Sequence, residues 1–244
     1  MERLSLTVTD NRPIAQGIWE MKLSGCTAKC RPGQFVNLMT GDNFLRRPIS
    51  VCNWEDGILT LAYKVVGKGT AEMSNMAPGT VIDTLVALGN GFDTEVPCSE
   101  ALLVGGGIGT APLYFLARTL AAKGRKVTLV TGYRSAGEVF FADEFKALGI
   151  DVLVATEDGS RGTRGFVTDA IRESGISFDY IYACGPMPMM KALCSSTEVA
   201  GEMSLEERMG CGFGICMGCT CKTMTGGKRI CKEGPVFKRE EIIW

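Results

Sequence analysis

The spacing of apolar and polar residues divides the chain into two parts. Up to about residue 97, short segments such as 4–9, 18–23 and 34–38 alternate apolar with polar side chains, and Gly, Pro, Asn and Asp separate them. Alternation with a period of two predicts strands with one buried face. Two further extended runs, 58–66 and 80–86, bring the count to five or six evenly spaced strands. This half therefore predicts a small antiparallel β-barrel, interrupted by a short helix at about 70–76.

The pattern changes at Ala101. Residues 101–104 are a continuous apolar run that leads into a glycine-rich turn and then into a helical pattern at about 110–122. More short apolar strands are predicted at 126–131, 150–155 and 180–184, with helical segments near 138–148, 167–174 and 188–199. Strands that alternate with helices in this way predict a parallel, doubly wound α/β sheet of the dinucleotide-binding type.

Composition limits the chemistry. The 244 residues are enough for two ordinary domains and a small appendage. The chain has no histidine, which excludes histidine-ligated zinc or haem, Rieske ligation and every nucleophile activated by imidazole. Any catalysis must therefore depend on bound cofactors, and electron or hydride transfer fits that restriction.

The net charge and the cysteine content indicate which partners and which cellular compartment to expect. The formal net charge of -1 argues against a nucleic-acid partner, and no apolar run approaches the ~18 residues that span a bilayer, so no membrane partner is expected. Eleven cysteines are an odd number, and the first residues form no apolar targeting segment. We therefore expect a reducing, cytoplasmic setting in which thiols are kept for metal rather than for disulfides.

The strongest chemical signal is a cysteine cluster near the C-terminus. Cys211, Cys216 and Cys219 are separated by gaps of four and two residues, and Cys231 completes a set of four. This is the plant-type ligand spacing of a 2Fe-2S cluster. Choosing Cys221 in place of Cys219 would give gaps of four and four, which match no known pattern, so Cys221 is predicted not to be a ligand.

Zinc is the alternative reading of these four thiols. Structural zinc sites usually have two Cys-x-x-Cys pairs, whereas this chain offers only Cys216 with Cys219. A zinc-stabilised interaction module without redox activity nevertheless remains a competing hypothesis.

Two stretches of the first half carry groups that bind phosphate. The run Arg46-Arg47-Pro48-Ile49-Ser50 begins a predicted strand, where a guanidinium can pair with a phosphate and the serine hydroxyl can reach a flavin. About twenty residues later, Gly67-Lys68-Gly69-Thr70 opens the short predicted helix, whose first amides form an anion site. Either stretch alone also suits an ordinary surface turn, but the pair is more specific.

The glycine turn of the second half predicts a nucleotide site. Gly107, Gly109 and Pro112 form Gly-x-Gly-x-x-Pro, with proline where the third glycine usually stands, which a first helical turn tolerates. No Asp or Glu ends the second strand of this half, so the usual acceptor for the ribose 2′-hydroxyl is missing. Arg134 would even accept a 2′-phosphate. These residues therefore leave NADH and NADPH undecided.

Taken together, Arg47 to Ser50, Gly67 to Thr70, Gly107 to Pro112 and Ala183-Cys184-Gly185-Pro186 resemble the ferredoxin–NADP reductase superfamily. Within it, the segment from Glu207 to Phe237 resembles the electron-transfer subunits of type B dihydroorotate dehydrogenases. The resemblance covers the whole chain. It implies an FAD-binding barrel (residues 1–97), a nicotinamide-dinucleotide-binding α/β domain (98–203) and a 2Fe-2S segment (204–244).

The resemblance also implies roles for individual residues. FAD would contact Arg47, Pro48, Ile49, Ser50, Ala62, Tyr63, Lys64, Gly69 and Thr70. NAD(H) would contact Gly107, Gly109, Thr110, Pro112, Cys184, Gly185 and Pro186, with Cys184 near the nicotinamide ring. The loop Glu157-Asp158-Gly159-Ser160, with Gly162 and Gly165, resembles one near the nicotinamide side. The 2Fe-2S ligands would be Cys211, Cys216, Cys219 and Cys231.

The function that the resemblance implies is two-electron to one-electron conversion. An FMN-containing catalytic subunit would oxidise dihydroorotate in pyrimidine biosynthesis, and electrons would pass through the cluster and FAD to NAD+. A heterotetramer of two plus two subunits is expected, and nothing in this chain looks able to bind dihydroorotate specifically. The alternative is the small flavin and iron–sulfur subunit of a NADPH–ferredoxin transhydrogenase or of a sulfur-reducing complex.

Overall fold

The computed structural model describes residues 1–41 and 43–244. In this part of the chain, the first six strands form a closed antiparallel barrel in the order β1-β2-β5-β4-β3-β6. Their bounds are β1 (Glu2–Ala15), β2 (Ile18–Ser24), β3 (Phe35–Leu38), β4 (Arg47–Glu55), β5 (Ile58–Lys64) and β6 (Val81–Leu88). The predicted barrel is confirmed.

Period-two alternation explains the barrel's interior. Along β6, Ile82, Thr84, Val86 and Leu88 are buried while the residues between them are more exposed. Successive side chains of a strand point to opposite faces, so each strand gives one row of apolar groups to the core. Residues from the other five strands complete the interior, including Leu6, Val8, Met21, Leu23, Val36, Leu38, Val51, Leu59 and Leu61.

The short helix α1 (Lys68–Ser74) closes one end of the barrel. Its Met73 is fully buried, and Asn11 of β1 donates hydrogen bonds to the carbonyls of Met73 and Met76. The helix begins two residues before the predicted start, since the Thr70 hydroxyl accepts hydrogen bonds from the amides of Val66 and Gly67 and so fixes the turn that precedes it.

Seven strands from the second half form one sheet in the order β10-β9-β8-β7-β11-β12-β15. All neighbours are parallel except β12 and β15, so the predicted doubly wound sheet is confirmed. The bounds are β7 (Glu100–Gly106), β8 (Lys126–Tyr133), β9 (Asp151–Thr156), β10 (Thr163–Arg164), β11 (Tyr180–Cys184), β12 (Gly201–Ser204) and β15 (Val236–Lys238), and a separate hairpin pairs β13 (Thr220–Thr223) with β14 (Gly226–Arg229).

Helices cover both faces of the sheet: α2 (Ala111–Ala122), α3 (Ala142–Ala147), α4 (Val167–Ser174) and α5 (Met187–Ser196). The segment predicted as one helix at 138–148 is shorter, because a 3-10 turn at Ala136–Glu138 precedes it and Phe141 has a φ of 59°. A non-glycine residue in this left-handed region cannot continue a helix, so α3 starts after it.

The barrel and the sheet share one apolar interface. Side chains of α2, such as Ala111 and Leu113, belong to the same buried cluster as Ile18 and Ala62 of the barrel. Arg118 of α2 reinforces the contact by donating to the Trp54 carbonyl at 3.1 Å. Groups on the outer face of the barrel are thereby held next to the carboxyl ends of the sheet strands.

The end of the chain returns to the sheet. Both β12 and β15 were absent from the predicted elements, because four and three residues are too few to show a period. The expected boundary between 203 and 204 therefore falls inside β12, and β15, from the expected cluster segment, pairs with β12 through Met203 and Phe237. Among the residues described, no helix is long and apolar enough to cross a membrane.

Candidate functional site

The four predicted cluster ligands form two pairs of thiols. The amide of Cys211 donates to the Cys216 sulfur at 3.4 Å, and the amide of Cys216 donates back to the Cys211 sulfur at 3.5 Å. The second pair is buried, and the amide of Cys231 donates to the Cys219 sulfur at 3.4 Å. The first pair therefore joins residues five positions apart in the sequence, and the second pair joins residues twelve positions apart.

Main-chain amides favour negative charge on the first pair. Burial alone would raise the pKa of the Cys211 thiol, but amide N–H groups of Cys216, Phe213 and Ile215 point at its sulfur and lower its pKa to about 6. At the second pair, burial and the neighbouring Cys219 raise the pKa of Cys231 to about 12. A thiolate that accepts several N–H groups suits an anionic iron–sulfur centre.

This arrangement fits a two-iron cluster. Each iron of a 2Fe-2S cluster takes two protein thiolates, which two separate pairs supply. A single tetrahedral ion instead needs at least three ligands around one point. Cys221 belongs to neither pair, since its thiol donates to the Lys228 carbonyl across the hairpin.

The cluster loop is anchored to the barrel by Asn37 of β3. Its side-chain amide donates to the Cys211 carbonyl at 3.3 Å, and Asn37 is only 1% exposed. The approach is close because Gly212 has a φ of 78° and no side chain, and a Cβ there would lie 2.4 Å from the Asn37 nitrogen. The same asparagine carries a buried Oδ1 that finds no hydrogen-bond partner in the described structure.

The two predicted phosphate-binding stretches of the barrel meet. The Arg47 guanidinium lies directly over Gly69 of α1, where an added Cβ would come within 1.9 Å of its Nε. Arg46 is turned away from this place, because it pairs with Asp83 at 2.7 Å. Arg47 and the start of α1 thus form a positively charged cradle whose depth depends on glycine, and these groups suit the pyrophosphate of FAD.

The three residues predicted to line the flavin from β5 face in two directions. The Tyr63 side chain points into the barrel and donates a hydrogen bond to Asn11 at 2.9 Å. Ala62 instead packs in the interface with the sheet, and Lys64 forms an ion pair of 2.9 Å with Glu138. Only Ala62 and Lys64 therefore point their side chains out of the barrel.

The glycine turn packs against the Cys-Gly-Pro segment. A Cβ at Gly109 would lie 2.4 Å from the Cys184 carbonyl oxygen, so the two predicted nicotinamide-binding segments touch through the backbone. Pro112 is buried in the first turn of α2. The Thr110 hydroxyl does not face the cleft, since it bonds to Thr131 at 2.6 Å in the core.

Three parts of the chain line one cleft. From the barrel come Phe35, Pro48 and Ser50, from the end of β11 comes Cys184, and from the segment before the cluster come Ser204, Leu205, Glu206, Glu207 and Met209, with Pro235. Phe35, Pro48 and Ser50 share one face, because Phe35 lies opposite Ser50 and Asn37 lies opposite Pro48. Burial raises the pKa of the Cys184 thiol to about 12, so this thiol is neutral.

The cleft, about 100 Å³ in volume, is the candidate position for the flavin ring. Its walls are apolar apart from the hydroxyl groups of Ser50 and Ser204 and the carboxyl groups of Glu206 and Glu207, and it lies between the predicted nicotinamide-binding segments and the segment that leads to the cysteines. A larger cavity, about 520 Å³, lies beside β9 towards the edge of the sheet, and Gly162, from the loop expected near the nicotinamide side, is among its lining residues.

Several residues of this site were missing from the sequence prediction. Phe35, Asn37 and the run from Ser204 to Glu206 carry no motif, and they reach the site only through the pairing of β3 with β4 and of β12 with β15. The exposed residues Ile215 and Met217 flank Cys216 at the tip of the cluster loop, and only their position within the cysteine motif could have marked them.

Comparison with known families agrees with this geometry. Residues 206–243 match the family model described as the iron-sulfur cluster binding domain of dihydroorotate dehydrogenase B. Residues 103–195 match the oxidoreductase NAD-binding domain. The two matches cover the cysteine segment and most of the parallel sheet.

Relatives resemble the chain over its full length. The dihydroorotate dehydrogenase B (NAD(+)) electron transfer subunit of Geobacillus sp. (strain WCH70) is 46% identical over 258 aligned residues, covering 100% of this chain and 99% of the relative. The subunit of the same name from Fusobacterium nucleatum is 44% identical and covers 97% and 96%. A solved structure of an NADH-dependent reduced ferredoxin-NADP oxidoreductase is 33% identical, with a TM-score of 0.90 over 99% of this chain and 90% of that one.

Proposed function

The chain belongs to the family of dihydroorotate dehydrogenase B electron transfer subunits, and on this premise we propose how its own residues carry that function. It is an oxidoreductase subunit that uses FAD, a 2Fe-2S cluster and NAD(H), and it works with a catalytic partner subunit. A bound flavin exchanges hydride with nicotinamide and single electrons with an iron–sulfur cluster. The protein has to place these three groups within reach of one another and away from water.

The observation that carries the proposal is the shared cleft. Ser50 and Pro48 of the barrel face Cys184 at the end of β11, and Leu205 and Met209 lead from the same cleft to the cysteine loop. A flavin ring held there would have the nicotinamide on the Cys184 side and the cluster on the Met209 side. Arg47 over Gly69 would hold the FAD pyrophosphate, and the glycine turn at Gly107 and Gly109 would hold that of the nucleotide.

The ligands of the cluster are proposed to be Cys211 with Cys216 on one iron and Cys219 with Cys231 on the other. Cys219 and Cys231 are buried, whereas Cys216 is exposed at the tip of the loop. The cluster would therefore have one solvent-facing side, from which electrons can enter. Asn37 fixes the opposite side of the loop to the barrel.

The exposed side of the cluster loop is the proposed docking face for the catalytic subunit. Ile215 is 76% exposed and Met217 is 55% exposed, and they stand on both sides of Cys216. Exposed apolar side chains grouped on a surface loop are typical of protein–protein contact sites. A partner bound here would cover the thiol that lies nearest to solvent.

Further details follow the resemblance. The partner is proposed to be an FMN-containing subunit that oxidises dihydroorotate, in a complex of two plus two chains, with NAD+ as the final acceptor. A reducing compartment such as the cytoplasm suits the eleven unpaired cysteines. The proposed division is a flavin domain at 1–97, a nucleotide domain at 98–203 and a cluster segment at 204–244, the last two sharing a sheet.

Cys216→Ala tests the proposal, with Cys221→Ala as the matched control. In the complex with the catalytic subunit, Cys216→Ala should leave reduction of FAD by NADH nearly unchanged and abolish dihydroorotate-dependent reduction of NAD+. Cys221→Ala should change neither, because its thiol bonds only within the hairpin. Normal coupling of the two subunits by the Cys216 variant would show that the cluster is not on the path.

A further inference from the structure

A carboxylate stands at the end of β8, where the sequence showed none. After Tyr133 the chain turns through the 3-10 helix Ala136–Glu138, and the Glu138 side chain folds back to accept a hydrogen bond from the Arg134 amide at 3.4 Å. The other oxygen of Glu138 accepts from the Lys64 ammonium of the barrel at 2.9 Å. The acidic group is thus five residues beyond the strand in sequence but next to its end in space.

This position has a known use in dinucleotide-binding sheets. An acidic side chain at the end of the second strand accepts a hydrogen bond from the adenosine ribose 2′-hydroxyl. Here β8 is the second strand of the sheet in chain order, and it pairs with β7 up to Gly106 opposite Gly132, immediately before the glycine turn. Glu138 is therefore one strand away from the proposed pyrophosphate site, and both lie at the carboxyl ends of the sheet strands.

The turn that carries Glu138 is held from two sides. The Ala136 amide donates to the Ser160 hydroxyl at 2.7 Å, which links the turn to the loop after β9. The Gln16 amide of the barrel donates to the Gly137 carbonyl at 2.9 Å. A carboxylate on such a support keeps its place when a nucleotide binds, which is the condition for selectivity.

The groups around Glu138 shift its pKa in opposite directions. Hydrogen bonding from Lys64 lowers the pKa of Glu138, burial acts against this, and the Arg134 amide adds to the lowering, so the side chain is ionised. An ionised carboxylate can accept a hydroxyl hydrogen but repels a phosphate dianion. The exposed Arg134 would attract that same phosphate, and Glu138 also keeps the Lys64 ammonium engaged.

We propose that Glu138 selects NAD(H) against NADP(H) by accepting a hydrogen bond from the adenosine ribose 2′-hydroxyl and by excluding a 2′-phosphate. The inference rests on the nucleotide site of the proposed function and names the residue that decides between its two possible substrates. Arg134 attracts a 2′-phosphate, but this attraction increases the affinity for NADP(H) only when the Glu138 carboxylate has been removed.

The test compares two ligands that differ only in the 2′-phosphate. ADP-ribose and ADP-ribose 2′-phosphate are titrated by calorimetry into the chain loaded with FAD and cluster, and reduction of FAD by NADH and by NADPH is measured in parallel. Wild type should prefer ADP-ribose. Glu138→Gln should reduce this preference at least tenfold, mainly through tighter binding of the phosphorylated ligand, and adding Arg134→Gln should weaken only that ligand.

Two further variants separate selectivity from structure. Glu144→Gln replaces an exposed carboxylate of α3 by a carboxamide. It should leave the ratio of the two affinities within twofold of wild type. Lys64→Gln breaks the same ion pair but keeps the carboxylate, so it should retain the preference for ADP-ribose. Loss of preference in both Lys64→Gln and Glu138→Gln would mean that the ion pair merely shapes the turn, and this would overturn the proposal.

Other outcomes are equally decisive. An unchanged ratio in Glu138→Gln, with ADP-ribose still bound, would refute the role of Glu138 and leave the proposed function intact. If wild type bound neither ligand while Cys216→Ala still abolished transfer to NAD+, the nucleotide would lie elsewhere, and this inference alone would fail. If the Cys216 test failed as well, the proposed function would fail with it.

Discussion

The side-chain amide of Asn37 donates a hydrogen bond of 3.3 Å to the main-chain carbonyl of Cys211, 174 positions away. This contact joins a strand of the barrel to the first of the four proposed cluster ligands. Gly212 makes it possible, because any side chain there would collide with the Asn37 amide. The distance between the cluster and the flavin cleft thus depends on a polar contact as well as on apolar packing.

Asn37→Ala should loosen the cluster loop without disturbing the nucleotide site. Loss of the donor leaves the Cys211 carbonyl free to move and opens a gap beside Gly212, so the cluster becomes accessible to chelators. We expect iron to be lost several-fold faster, measured as bleaching of the visible absorbance under a chelator. Reduction of FAD by NADH should remain near the wild-type rate.

Asn53→Ala is the matched control for this variant. Its side-chain oxygen is likewise buried and without a hydrogen-bond partner in the described part of the chain, but it belongs to β4 opposite Thr60 and not to the cluster loop. It should lose iron at the wild-type rate. Equal rates for Asn37→Ala and Asn53→Ala would contradict the anchoring role of Asn37.

Gly69→Ala should release FAD. The added Cβ would meet the Arg47 Nε at 1.9 Å, so the guanidinium must leave the cradle that we assign to the pyrophosphate. A loss of about tenfold or more in FAD affinity is expected, since one charge-assisted hydrogen bond is worth about 1.5–3 kcal/mol. The measurement is flavin fluorescence quenching on titration of the flavin-free chain.

The neighbouring glycine provides the control. Gly67 has an extended backbone with a φ of -171°, and an added Cβ there would meet no atom within 4 Å. Gly67→Ala should therefore bind FAD as wild type does. If both alanine variants lost FAD equally, flexibility of the loop rather than the Arg47 contact would be responsible.

Thr110→Val should lower stability while leaving NADH affinity nearly unchanged. The Thr110 hydroxyl is buried and bonds to Thr131 at 2.6 Å and to the Tyr133 hydroxyl at 3.3 Å. Its removal leaves the buried Thr131 hydroxyl without this hydrogen-bond partner. The free energy of unfolding should fall by about 2 kcal/mol, which lowers the melting temperature by about 4–8 °C. Thr119→Val on the same helix, whose hydroxyl bonds only to the Phe115 carbonyl, should melt close to wild type. A large rise in the KM for NADH would instead place the Thr110 hydroxyl in the site.

Features encoded by nearby residues were predictable from the sequence. The cysteine gaps identified the four thiols, and the structure places them in two pairs, Cys211 with Cys216 and Cys219 with Cys231. The alternation of apolar residues gave the barrel, and the change to continuous apolar strands marked the start of the sheet. Even the two directions of β5 could have been foreseen, because consecutive strand residues face opposite sides and Tyr63 cannot point the same way as Ala62 and Lys64.

The remaining features depend on contacts between distant segments. Nothing near Asn37 in the sequence signals a cluster loop, and Glu138 reaches the end of β8 only because a 3-10 turn reverses the chain. Strand β15 contributes just Val236, Phe237 and Lys238, too few residues to show a period. In each case the local sequence is compatible with several structures, and packing against a remote strand selects one.

Glu202 makes the stability of the sheet depend on pH. This β12 carboxyl is 7% exposed and accepts a hydrogen bond from the Asp93 amide at 2.9 Å. Burial raises its pKa to about 7, the Asp93 amide and Lys238 act against this, and the Asp93 and Glu240 carboxylates add to it. The unfolded chain releases this proton near its ordinary pKa of 4.5, so the folded state binds more protons between the two values.

Stability should therefore fall as pH rises from about 4.5 and level off above about 7. The contribution of Glu202 between pH 5.5 and 7.5 is about 2 kcal/mol, or about 4–8 °C in melting temperature. Glu202→Gln cannot ionise, so its melting temperature should rise relative to wild type by that amount over this interval. Glu173→Gln, an exposed change on α4, should follow wild type at both pH values. A constant difference between Glu202→Gln and wild type at pH 5.5 and 7.5 would show that Glu202 titrates outside this interval, because only a proton held by the folded state can make the two curves diverge.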